Sequence, residues 1–321
     1  MFRLLLGTPL ARPLLSTSSL FFPSNTFRLK SNERSYKCLQ MGIGDTNSES
    51  IRKVSFRLCN VSGYMTELLE IQAPNPTLHV LFIPAIGHIS HSSKDWEHGR
   101  LFSLQEQIEH KIDFIAHELE NNNTPVILVG HSIGSHISIE IFKRISHKES
   151  HSSLLTSLPP IAVIVDSSGF YLSVIRGLSG FLSSLVSSIV AMLGLIPRWS
   201  KFIVKKTLGN SWSPTAVEAA CSHLIKYHMM RNMLFMARTE FQMFSDAPDW
   251  EFLRAKQDQL AFLFGIDDHW CPLSLFEEVS KEVPDLHLSI EKGGHGHAFS
   301  CTEGGSIWVA RHVASLIATI F

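Results

Sequence analysis

The chain has 321 residues, 45% hydrophobic and 18% charged, with a slightly positive mean hydropathy. That balance supplies a core and excludes disordered, collagenous and coiled-coil proteins. With 28 Lys and Arg against 29 Asp and Glu there is no basic footprint for nucleic acid, and five scattered cysteines without a CxxC support neither a disulfide framework nor a zinc knuckle.

Residues 1–40 carry six basic residues and a single acid, Glu33, among Leu, Phe, Ser and Thr. This is the composition of a transit peptide, so the segment is expected to be a leader without folded structure, and residues 41–321 the folded domain. Read that way, it would direct the chain to a plastid or mitochondrion.

From residue 50 strand-like and helix-like stretches alternate. Residues 51–59 and 65–72 read as an opening hairpin. Residues 78–83 form a short apolar run stopped by Pro84, as a buried strand would. Leu101, Leu104, Ile108, Ile112, Ile115 and Leu119 fall at helical spacing. Residues 125–129 are the next buried-strand candidate, with a helix from about Ile133 to Arg144. Strands are expected again at 161–165, 259–264 and 286–291, and helices at 273–282 and 305–318. Such alternation predicts an α/β domain whose mainly parallel sheet is covered by helices on both faces.

One stretch interrupts the alternation. Between Arg176 and Arg198 lie 21 uncharged residues, followed by Trp199, Lys201, Lys205 and Lys206. The run is long enough to cross a bilayer, yet three glycines and five serines dilute it. A membrane-embedded hairpin, an interfacial helix with snorkelling lysines and a buried cap helix all fit; the cap insertion would occupy about 170–245. The segment at about 178–206 is the candidate contact with a lipid monolayer or membrane.

Gly130-His131-Ser132-Ile133-Gly134 is a GxSxG, and it directly follows the Val126–Val129 strand and opens a helix. Strand, tight turn and helix together define a nucleophile elbow, which makes Ser132 the candidate nucleophile and the Ile133 backbone N–H an oxyanion donor. A serine hydroxyl needs a base, and the base an orienting acid. Gly265-Ile266-Asp267-Asp268 leaves a predicted strand with two acids; Asp268 suits the turn better, Asp267 is its alternative, and Asp166 after the preceding strand is a third. Gly293-Gly294-His295-Gly296-His297 offers two histidines in a glycine-rich loop, of which His297 is preferred over His295. No metal or organic cofactor is expected. Seventeen histidines are present, but no HExxH appears and no carboxylate completes a ligand set.

At GHSIGS (130–135), Gly265, Asp268 to Pro272 and His297-Ala298-Phe299 the sequence resembles the lipid-droplet-associated serine hydrolase family of the α/β-hydrolase superfamily. The stretch Cys221–Glu240 is similar to its plant members. The resemblance implies an α/β-hydrolase fold and a Ser132, Asp268, His297 triad. It also implies association with lipid droplets and endoplasmic reticulum, and a neutral-lipid or sterol ester as substrate. The alternative is a lipid-droplet-binding protein that keeps the fold with little hydrolytic activity. One departure from the family is visible. The strand ending at Ile83 lacks the Gly-Asn-Pro-Gly turn that follows it there, and only 17 residues precede the helix near Leu101, too few for a further helix and strand. A segment is therefore expected to be missing, with the loop that supplies the second oxyanion N–H. A gap, or a foreign segment, is expected beside the elbow strand.

Overall fold

The computed structural model describes residues 2–6, 53–84 and 100–320, except 63, 74–76, 120–123, 150–160, 167–179, 195–196, 208–211, 222–224, 244–247 and 269–270. The opening hairpin is β2 (Lys53–Val61) and β3 (Tyr64–Gln72), paired antiparallel from Lys53↔Gln72 to Val61↔Tyr64. Then β4 (His79–Ile83) leads to α1 (Leu104–Leu119), β5 (Val126–His131), α2 (Ile133–Glu149) and β6 (Ile161–Asp166). The remaining strands are β7 (Leu260–Gly265) and β8 (His287–Glu291), flanked by the helices Leu273–Glu282 and Glu303–Ile320. The expected elements are all present to within a few residues at their ends.

From β4 to β8 every pairing is parallel, so the carboxyl ends line one edge. Register aligns Ile83 with Gly130, His131 with Asp166, and Gly265 with Glu291 along that edge. Burial explains the unbroken apolar run of β5, all six of whose residues are buried. Val126 and Leu128 join the core beneath α1 and α2 with Ile108, Ile115, Ile137 and Ile141, while Ile127 and Val129 pack with Leu316 of the last helix on the opposite face. A strand covered on both faces loses the polar alternation of a half-exposed one.

The amino terminus departs from expectation. Residues Phe2–Leu6 form a strand, β1, inserted between β3 and β4 in an eight-stranded sheet of order β2-β3-β1-β4-β5-β6-β7-β8. It pairs antiparallel with β3 and parallel with β4, with Arg3 in register with the buried Glu70 and with Leu81. The leader reading is corrected for these five residues: in the sheet their backbone gains the hydrogen bonds that a free leader lacks. The expected gap is corrected as well. It does not lie beside β5, which pairs with β4 and β6, but one strand further out, where β1 fills it. Residues 7–52, and 85–99 with the expected missing segment, lie outside the described residues.

The segment at about 178–206 supplies two helices rather than one span, α3 (Gly180–Gly194) and α4 (Pro197–Thr207), and Pro197 begins the second. Among the described residues no helix is long and apolar enough to cross a membrane. Leu185, Ile189 and Met192 recur at helical spacing and are 47–68% exposed, and Trp199 and Phe202 on α4 are 64% and 66% exposed. On its described residues the stretch carries an apolar face into solvent. Two further helices, Pro214–Ala219 and Tyr227–Met243, follow before the chain returns to β7 through Trp250–Ala255.

Candidate active site

Ser132 follows the last residue of β5 and precedes the first of α2, with φ of 58°. A side chain other than glycine rarely adopts this left-handed backbone, and it persists here because the surrounding packing enforces it. The two glycines of GxSxG have distinct reasons. A Cβ at Gly130 would lie 2.4 Å from the Ser135 Cα, and one at Gly134 would lie 2.0 Å from the Ile83 carbonyl oxygen. The elbow is thus pressed on its own helix and on the end of β4 at once.

The acid comes from the turn after β7. Asp268 is buried and Asp267 is exposed, although they are adjacent. The Asp268 N–H donates to the Gly265 carbonyl, and its Oδ1 accepts the Cys271 N–H at 3.3 Å, which leaves Oδ2 to face His297. Gly265 is confined by the same turn, since a Cβ there would approach the Asp268 Cβ to 3.1 Å. Asp166 ends β6 in register with His131, and its side chain lies outside the described residues.

His297 connects the two. Its Nδ1 is 2.8 Å from Asp268 Oδ2 and its Nε2 is 3.0 Å from Ser132 Oγ. A carboxylate only accepts, so the Nδ1 carries the proton, and Nε2 is left to accept the serine O–H. Among the described groups the geometry brings Ser132, His297 and Asp268 together and leaves Asp267 and His295 out. The His295 ring turns towards the last helix, with Trp308 6.5 Å away between ring centres. Ile133, the candidate oxyanion donor, is the first residue of α2 and is buried.

Two side chains stand at this site without having been singled out from the sequence. His131 is buried beside the serine, its ring centre 4.4 Å from Phe299 and 5.3 Å from His297. Burial pushes its pKa down to about 4, with the neighbouring His297 adding to the effect, so it is neutral at pH 7 and its Nε2–H donates to the His297 carbonyl at 3.1 Å. Glu291, the last residue of β8, is also buried and accepts the backbone N–H groups of Gly293 and His295. The signal for Glu291 is an acid that ends a predicted strand just before a glycine pair. For His131 only its place inside the GxSxG was available.

The sequence profile of the family described as lipid-droplet associated hydrolase matches residues 59–300. The chain belongs to that family. A relative named lipid droplet-associated hydrolase from Dictyostelium discoideum is 28% identical over 68% of this chain and 71% of its own. Proteins of the same name from Gallus gallus and Mus musculus are 27% and 25% identical over 62% of this chain, which spans only 60% of their length. Among solved structures, a haloalkane dehalogenase of Bradyrhizobium elkani superposes with a TM-score of 0.55 at 14% identity, covering 84% of this chain and 99% of that one. The thioesterase domain of the curacin biosynthetic pathway gives 0.51 at 14% identity, covering 83% and 99%. At such identities these likenesses establish the α/β-hydrolase fold, whose members these are.

Proposed function

We propose that the protein is a serine hydrolase of carboxylic esters that works at a lipid surface through Ser132, His297 and Asp268. The observation that carries this reading is the continuous hydrogen-bonded chain from Ser132 Oγ to His297 to a buried carboxylate. In the reaction the Ser132 O–H proton passes to His297 Nε2 as Oγ attacks the ester carbonyl. Asp268 holds the imidazole in the tautomer this requires and stabilises the imidazolium that forms. The Ile133 N–H, at the amino terminus of α2, faces the developing oxyanion. Collapse of the tetrahedral intermediate breaks the ester C–O bond; His297 returns the proton to the departing alcohol. Water, activated by the same histidine, then releases the acid from the acyl-enzyme.

The substrate class is the neutral-lipid or sterol ester, and the site of action the surface of the lipid droplet and the endoplasmic reticulum. Family membership supports the droplet, and the exposed face of Leu185, Ile189, Met192, Trp199 and Phe202, with Lys205 and Lys206 beside it, supports contact with a monolayer. Aromatic and aliphatic side chains enter the acyl boundary while the lysines remain at the headgroups. The folded unit comprises residues 41–321 with strand β1, and its cap spans about 170–245. Import with removal of residues 1–40 would take β1 out of the sheet, which weighs against plastid or mitochondrial delivery.

A fluorophosphonate probe tests the activity directly, because it reacts only with an activated serine. The wild-type chain is expected to label at Ser132, and Ser132→Ala to abolish both labelling and ester turnover with the fold retained. No labelling of the wild type would instead leave a non-catalytic lipid-surface protein. For the surface, Ile189→Asp combined with Phe202→Asp should weaken binding to triacylglycerol emulsions by about 100-fold or more, since each buried side chain of this size contributes roughly 1.5–3 kcal/mol. Unchanged emulsion binding would remove α3 and α4 from the contact.

A further inference from the structure

The loop that delivers the base has three glycines in five residues from Gly293 to His297, and Gly294 sits at φ of 75°. Such a segment has little conformational preference, and fixing each residue costs about 1–2 kcal/mol in backbone entropy. Something else must hold it where Nε2 meets the serine.

Glu291 is placed to do so. At 3% exposure it folds back on the loop, Oε1 accepting the Gly293 N–H and Oε2 the His295 N–H at 3.0 Å. Hydrogen bonds from amides to a carboxylate are roughly twice as strong as neutral ones. Gly293 fits this arrangement for a spatial reason, since a Cβ there would lie 2.6 Å from Glu291 Oε1 although its backbone is not left-handed. Further along, the Nε2–H of His131 donates to the His297 carbonyl. The loop is therefore gripped at 293 and 295 from β8 and at 297 from β5. Glu291, Asp268, His295 and His297 also line one small cavity behind the base.

We propose that Glu291 is a positioning residue for catalysis: its carboxylate sets the loop so that His297 stays in line between Asp268 and Ser132, with His131 pinning the far end. This rests on the triad reading above. A buried acid that merely stabilised the fold would need neither both oxygens on this loop nor a cavity shared with the base.

The test is Glu291→Gln in the full chain. The amide keeps the shape and accepts one N–H but turns its own NH₂ towards the other. We expect kcat and the rate of fluorophosphonate labelling to fall between about 10- and 100-fold, the range a small misplacement of a reacting group produces, with KM little changed and a lower melting temperature from the amide N–H left without an acceptor. The groups that face His297 are Asp268, His131, and, across the cavity, His295 and Glu291. Removing the negative charge of Glu291 and loosening His297 from Asp268 both disfavour the imidazolium, so the acid limb of the kcat/KM profile should move to lower pH, which a structural role remote from the base would not cause.

Gly293→Ala approaches the same contact from the other side. It should slow labelling strongly in the wild-type background and hardly at all in Glu291→Ala, where no carboxylate is in the way. Amide exchange at Gly293 and His295 reads the grip without any turnover, and should quicken in Glu291→Gln. Wild-type kcat and unchanged exchange in Glu291→Gln would overturn the proposal while leaving the triad intact. A wild-type chain that never labels would overturn the triad reading instead, and the exchange measurement would still decide whether Glu291 holds the loop. Should Glu291→Gln fail to fold, the Gly293→Ala pair decides, and additive effects there would overturn it.

Discussion

The two halves of the sheet were assembled by different rules. From β5 to β8, chain order and spatial order coincide, and each strand hands the chain to the edge where the site lies. From β2 to β4 they part, because a strand made of residues 2–6 stands between partners some 60 to 80 residues later in the chain. The first half can vary its loops without disturbing the order of its strands. The second depends on a non-local pairing that no neighbouring residue enforces.

The largest effects should fall on the parallel half. Asp268→Asn and His297→Ala should each reduce kcat by about 10² to 10⁴, the usual worth of a positioned acid or base, whereas Asp267→Asn and His295→Ala should leave it within a few-fold of wild type. Active-site titration and steady-state ester hydrolysis measure both; a crippled Asp267 or His295 variant would place the chemistry in another register.

Next in size, Leu4→Pro removes a ladder donor from the middle of β1 and should lower the melting temperature by several degrees, with 1 kcal/mol corresponding to about 2–4 °C in a domain of this order. Deletion of residues 2–6 should cost more and carry activity with it, because β4 then becomes an edge strand and its end at Ile83 is what Gly134 rests on. An unaltered melt for both would mean that β1 does not hold the sheet together.

The smallest effect distinguishes the halves by pH. Burial depresses His110 on α1 to about 3, and His131 and His136 to about 4. Above pH 6.5 each is neutral whether folded or unfolded and contributes nothing. Below it, the unfolded chain takes up protons that the folded one refuses, so stability falls from about pH 6.5 towards 4 by at most about 1.4 kcal/mol per pH unit for each histidine. His110 hydrogen-bonds Thr66 on β3, in the antiparallel half. His110→Asn should therefore flatten the acid limb of the melting curve while leaving fluorophosphonate labelling at pH 7 unaffected.

What could be read from the sequence follows the same division. The elbow was legible because its signals are local: an apolar strand, two glycines around a serine, then a helix. The seven strands after residue 50 announced themselves in the same way. Choosing Asp268 over Asp267 depended on one residue of turn geometry, visible in the structure as buried against exposed. The role of Glu291 is not legible because its partners are backbone amides, which every residue but proline carries and no sequence displays. Phe2-Arg3-Leu4-Leu5-Leu6 reads as leader because a largely apolar run with arginines fits that composition equally well. Only its register with β3 and β4, Arg3 opposite the buried Glu70, distinguishes a strand from a signal, and register is a property of two segments.

Strand β1 also sets an order of events in folding. It leaves the ribosome before its partners, and the edges it must join, β3 at residues 64–72 and β4 at 79–83, exist only some 60 to 80 residues later. Closing so long a loop is slow to nucleate but adds little to the final cost, since the entropy penalty grows only with the logarithm of loop length. The β2–β3 hairpin, closed through Ser62, pairs two consecutive strands and needs no distant segment to set its register. Until β1 arrives, both β3 and β4 present an unpaired edge, and a second nascent chain could offer its own first strand to either. The rate of this intramolecular closure, relative to chain concentration, therefore governs whether the protein folds alone or exchanges strands with its neighbours.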